Sequence, residues 1–105
     1  MAAKEADALR EILRYLKLAG IFHIRVNQGG VPLHDGSGRY RPGPTRGVSD
    51  VHIILDGKAG WIEVKSDKGR LSDAQAEFLA AVERAGGIAI VARSAKDVES
   101  VLGNL

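Results

Sequence analysis

No cysteine occurs among the 105 residues, so neither a disulfide nor a thiolate metal site is open to this chain. That absence suits a reducing cytosol, and the cytoplasm is the expected compartment. No apolar run approaches the roughly 18 residues that a membrane-spanning helix needs. Met1 to Glu5 leads straight into a charged amphipathic segment and lacks the apolar stretch of a secretory signal. Repeats, low-complexity tracts and linker-like stretches are also missing, so a single domain over residues 1–105 is expected. Prolines number three, and all of them fall between Asn27 and Gly47 together with six of the 13 glycines. A connection this long is uncommon in a compact domain unless it has a function.

Neither charge sign dominates: 15 basic residues face 13 acidic ones. The distribution is more informative than the total. Between Arg25 and Ser49 there are four arginines (Arg25, Arg39, Arg41, Arg46) and one acid (Asp35), whereas the rest of the chain carries 11 basic and 12 acidic groups. A basic, glycine-rich loop suits a phosphate backbone, although a solvated arginine-rich loop has the same composition.

Apolar periodicity predicts a helix over 5–19, with Leu9, Ile12, Leu13 and Leu16 at helical spacing and Gly20 as a stop. Ile21–Val26 reads as a strand, as do Val48–Leu55 and Trp61–Lys65, the last two joined by the hairpin signal Asp56-Gly57-Lys58-Ala59-Gly60. Ser72–Ala85 reads as a helix with Ala76, Leu79 and Val82 on one face and Gly86-Gly87 as its end. Ile88–Ala92 is a short apolar strand, and Ser94 caps a final helix carrying Val98, Val101 and Leu102. The order α-β-β-β-α-β-α describes an α/β domain, a mixed β-sheet flanked by helices.

Strand parity then gathers chemistry onto one face. Side chains alternate along a strand, so Glu63 and Lys65 share a side opposite Ile62 and Val64. On the preceding strand Val51, Ile53 and Leu55 are apolar and leave Asp50 and His52 on the other side. If both apolar sets meet one core, Asp50 lies with Glu63 and Lys65. Two adjacent carboxylates repel unless a cation lies between them, and Mg²⁺ commonly takes one or two protein carboxylates. A neighbouring ammonium can orient or activate an attacking water, or stabilise charge growing on a phosphoryl oxygen. A Glu-Val-Lys triplet is equally compatible with a salt bridge on a solvated strand face, and parity does not separate the two.

Asp50 followed by Glu63-x-Lys65 resembles the PD-(D/E)xK nuclease signature. The text "GVSDVHIIL…GWIEVKSDKGRLSDAQAEFLAAVERAGGIAIVARSAKDVESVL" resembles a stand-alone VRR-NUC domain of that superfamily, and the likeness runs from about Glu5 to Leu102. Ser49 stands where many superfamily members have proline, but serine is this family's usual residue there.

The resemblance implies a restriction-endonuclease-like core and a nuclease acting on DNA. Asp50, Glu63 and the Val64 carbonyl would hold Mg²⁺ or Mn²⁺, with Lys65 beside the attacking water. Small stand-alone members resemble Holliday-junction resolvases, which work as homodimers on branched DNA. A bacterial or phage-encoded protein is expected.

The family also places an acid from the first helix near the metal. Glu5 extends the apolar stripe, whereas Glu11 lies about 200° from Leu9 and should face solvent, so Glu5 is the candidate. Gln75 matches the family's glutamine on the following helix, though Ser72-x-x-Gln75 is also a capping box. Gly29 and Gly30, after Asn27 and Gln28, resemble the family's turn facing DNA. Arg39, Arg41 and Arg46 are the expected phosphate contacts, and Ser66 is a further candidate. His23, His34 and His52 fit no zinc spacing. Two other functions keep the same fold: a non-catalytic DNA-binding module, and a nuclease preferring flaps or single strands.

Overall fold

A computed structural model describes residues 4–26, 31–41 and 46–103. The chain runs through α1 (Glu5–Leu18), β1 (Phe22–Arg25), β2 (Val31–Pro32), β3 (Tyr40–Arg41), β4 (Val51–Leu55), β5 (Lys58–Val64), α2 (Asp73–Arg84), β6 (Ile88–Ala92) and α3 (Ala95–Leu102). Four strands form one mixed sheet in the order β1-β4-β5-β6, with β5 and β6 parallel and the other neighbours antiparallel. The restriction-endonuclease-like α/β architecture is therefore present. The long connection, expected to lack structure of its own, contains the two-residue strands β2 and β3, which pair with each other.

The β4–β5 hairpin is tighter than its five-residue signal predicts. Asp56 and Gly57 both take positive φ, 51° and 79°, as a two-residue type I′ turn requires. Lys58, Ala59 and Gly60 consequently belong to β5. Gly60 has a reason to be there: an added Cβ would lie 2.8 Å from Ile53 Cγ1 and 3.1 Å from Ile88 Cβ, leaving no room for a side chain.

The sheet's inner face carries Val51, Ile53, Ile62, Val64, Ile88, Ile90 and Ala92, all buried. Ala8, Ile12 and Leu16 of α1 and Val98 and Leu102 of α3 close this core, flanked by the half-buried Leu9 and Leu13. Fully burying side chains of this size contributes about 1.5–3 kcal/mol each, which anchors β4 and β5 between the helices.

The other face of β5 is covered by α2. Trp61 meets Phe78 edge-on with ring centroids 5.2 Å apart, and Leu79 is buried. Ala76 was expected on this face, but it is exposed. The buried side of α2 runs through Gln75, Phe78, Leu79 and Val82, because the bulkier Phe78 turns that stripe toward Trp61. Ser72 starts α2 with a reciprocal capping box involving Gln75. Glu11 faces solvent, as its helical angle predicts. Its Oε1 accepts the Ala95 N–H at 3.1 Å and so ties α1 to the start of α3.

Candidate active site

Asp50 lies one residue before β4, where two neighbouring segments hold it. Its carbonyl accepts the Val26 N–H at 2.8 Å, and its carboxylate Oδ2 accepts the Val64 N–H at 2.7 Å. The approach is set from upstream by Gly47, with φ of 77°, which packs against the first turn of α2. A Cβ at that position would come within 2.2 Å of the Ala74 carbonyl oxygen, so only glycine fits. The Gly-Val-Ser-Asp run is thus a structural device: glycine allows close contact with α2, and Val48 and Ser49 are buried on the way to Asp50.

Val51 pairs with Ile62, so the next step of the same register sets Asp50 opposite Glu63. Parity predicted a shared face, and the two residues share it. The surface ion-pair reading requires an exposed Glu63 paired with Lys65. Glu63 is instead 1% exposed, and among the described residues it forms no ion pair with Lys65.

The Glu63 carboxyl is pushed up to about 9, first by burial and then by a hydrogen bond with Asp50 and by the charge of Asp50. Lys65 opposes that rise, and Glu5 adds to it. Around neutral pH, Glu63 therefore keeps a proton unless a cation replaces it.

Glu63 Oε1 is buried and has no hydrogen-bond partner among the described residues. A buried, unpartnered carboxyl oxygen beside a second carboxylate suits a hard divalent ion. Among the described residues no group of three or more His, Cys, Asp or Glu is gathered tightly enough to form a ready-made metal cage. Two carboxylates suit a hard divalent ion with open coordination positions rather than a closed structural site.

Lys65 is half-buried just beyond β5, and its backbone N–H donates to the Ala92 carbonyl at 3.0 Å. Ser66 follows, also half-buried. Glu5, the first residue of α1, is exposed and close enough for its charge to act on Glu63. Gln75 is less free than a site residue would be, since its Oε1 accepts the Ser72 N–H at 2.9 Å. His52 shares the Asp50 face, as parity requires. Its Nδ1–H donates to the Gly60 carbonyl at 2.9 Å, and its ring stacks on Trp61 at 4.4 Å between centroids, a bracing role.

Among the described residues, Arg39 and Arg46 each lie near acids. Arg39 is exposed and lies 3.8 Å from Asp35. That carboxyl is held below its usual range by the Ser37 hydroxyl and backbone. Arg46 flanks a groove of about 420 Å³ lined also by Asp73, Ala74, Glu77 and Phe78, where two acids offset its charge. Arg41 lies in β3, and Gly29 and Gly30 lie outside the described residues.

One residue near the site escaped the sequence reading. Arg93, just past β6, donates from Nη1 to the Ser66 carbonyl across the parallel β5–β6 pair. Arginine composition pointed to the glycine-rich loop. The available signal was topological, because a parallel crossover brings the carboxyl ends of both strands to the same edge of the sheet.

A family model described as the VRR-NUC domain matches residues 41–96, just over half of the chain. Comparisons with curated proteins and with solved structures gave no match.

Proposed function

The chain belongs to the VRR-NUC family, whose domain is a nuclease of the PD-(D/E)xK type, and on that premise we propose a divalent-metal-dependent DNA endonuclease centred on Asp50, Glu63 and Lys65. The observation that carries the reading is the buried Glu63 carboxyl, unpartnered at Oε1 and raised to about 9 beside Asp50. A protein that only bound DNA would gain nothing from two carboxylates placed next to phosphates.

Asp50, Glu63 and the Val64 carbonyl would hold Mg²⁺ or Mn²⁺. When bound, the ion supplies charge neutralisation at the phosphate and a lower pKa for water. The Val64 N–H fixes the Asp50 carboxylate through Oδ2. The Lys65 ammonium orients the attacking water and offsets negative charge developing on the phosphoryl oxygens. Water adds at phosphorus, one P–O bond to sugar breaks, and the strand ends become a hydroxyl and a phosphate monoester. The proton lost by the water is matched by one that the departing sugar oxygen takes up from solvent to leave as the hydroxyl. Glu5 supplies further negative charge at the rim, and Gln75 and Ser66 would be further contacts of the site or the DNA. Arg39, Arg41 and Arg46, with Gly29 and Gly30, would contact the DNA backbone and recognise shape rather than sequence.

Branched DNA, with Holliday junctions as the leading example, is the proposed substrate, and a homodimer the proposed acting form. Phe22 and Ile24 on edge strand β1, together with Ile54 across the register, are exposed at 56%, 50% and 43%, which supports self-association.

The test incubates a four-way junction, a flap and plain duplex with the protein, each with Mg²⁺, Mn²⁺ or EDTA. Cleavage that needs a metal and favours the junction is expected. Tight binding without cleavage of any substrate would replace the proposal with a binding module. A monomer at micromolar concentration, with and without DNA, would overturn the proposed homodimer.

A further inference from the structure

Lys65 stands one residue past Val64, where β5 ends and its ladder no longer holds the backbone. The Lys65 N–H bond to Ala92 is the last strand-like tie. The next fixed point is the Ser66 carbonyl, which accepts two donors: the Gly69 N–H at 3.1 Å, closing a turn, and Arg93 Nη1. That turn packs on the lysine, since a Cβ on Gly69 would lie 3.1 Å from Ser66 Oγ and 3.4 Å from Lys65 Cδ.

Arg93 is itself well placed to act as an anchor. It follows Ala92, the β6 partner of Val64, and its backbone N–H donates to Asp97 Oδ2 at 2.8 Å. Asp97 lies in the first turn of α3, and Ser94 caps that helix. Arg93 is half-buried, and among the described residues its guanidinium pairs with no carboxylate. A partly buried cation spent on a backbone carbonyl makes a strong, charge-assisted hydrogen bond with a directional fork.

We propose that Arg93 is a positioning residue for the reaction: it locks the Lys65–Gly69 segment to the β6–α3 corner and so sets Lys65 beside Glu63. The inference rests on the nuclease reading for its catalytic consequence, but the lock itself does not. Misplacement of a catalytic group by a fraction of an ångström to one ångström costs on the order of 10- to 100-fold in rate. Loss of a positioning contact should appear in kcat and leave substrate binding alone.

The test compares wild type, Arg93→Ala and Arg93→Lys. The first readout is amide hydrogen exchange without metal or DNA. Arg93→Ala should speed exchange in the Lys65–Gly69 segment while β4 and the body of β5 stay protected, and Arg93→Lys, which keeps a donor, should restore part of the protection. The second readout is Mg²⁺-dependent cleavage: Arg93→Ala should lower kcat by about 10- to 100-fold, with DNA affinity and its salt dependence unchanged, and Arg93→Lys should recover part of the rate. Unchanged exchange in that segment overturns the inference. So does an active wild type whose Arg93→Ala variant keeps its kcat but loses about one unit of salt slope, because Arg93 would then be a phosphate contact. A wild type that cuts nothing defeats the nuclease reading instead, and the exchange readout still decides the lock.

Discussion

Glu63→Gln should make the metal-free protein more stable at neutral pH while removing its activity. The Glu63 carboxyl rises from 4.5 in the unfolded chain to about 9 in the fold. The folded state therefore binds the extra proton, and the associated stability is fully present below pH 4.5 and lost as pH rises toward about 9. One proton changes stability by at most about 1.4 kcal/mol per pH unit, so two units within this window amount to about 3 kcal/mol. The measured loss from pH 5.5 to 7.5 should therefore lie at about 1–3 kcal/mol. Glutamine keeps the shape and a donor toward Asp50 but does not titrate.

The assay is urea unfolding in EDTA at half-unit pH steps, comparing wild type with Glu63→Gln. The difference between the two isolates Glu63 from the histidines and the other acids. The variant should show the flatter profile and overtake wild type toward pH 7.5. Added Mg²⁺ should then favour wild type, increasingly so as pH rises, because the ion binds the deprotonated site. Parallel profiles for the two proteins would mean that burial does not hold a proton on Glu63.

Other substitutions probe the supports around the site. Gly47→Ala must force a Cβ to within 2.2 Å of the Ala74 carbonyl at a φ of 77°, and a loss of about 2–4 kcal/mol by urea unfolding is expected. Ser72→Ala removes the hydroxyl half of the α2 capping box and should cost about 1 kcal/mol in the same assay. Arg46→Ala and Arg39→Ala should each weaken DNA binding and reduce the salt slope by about one unit, without changing the cleavage rate at saturating DNA. An unchanged slope for either variant would exclude that arginine from the interface.

The sequence was most legible where one period and one core act together. Val51, Ile53, Ile62 and Val64 all face the core, so alternation alone predicted that Asp50 and Glu63 lie opposite them. Alternation does not reveal burial depth. Glu63 is 1% exposed, and Phe78 of α2 meets Trp61 on the same side of β5, a contact between distant segments that no local pattern reports. Ala76 was misplaced for a related reason: helical periodicity defines a stripe, but the bulk of Phe78 decides which stripe docks. Glu11 looked solvent-facing by helical angle, and only the position of α3 shows that it holds the Ala95 N–H. Arg93 lies 27 residues from its partner Ser66 and is brought to the site by the parallel crossover. Turn chemistry was legible in type but not in length, because Asp-Gly closes a hairpin in two residues once both take positive φ.

If Asp50 and Glu63 form the cutting centre, Asp50→Ala should stop cleavage and spare binding. Cleavage of a four-way junction and binding to it should be measured side by side, in Mg²⁺, at one salt concentration. The variant should bind the junction about as tightly as wild type and cut none of it. A variant that cuts at the wild-type rate would contradict the assignment.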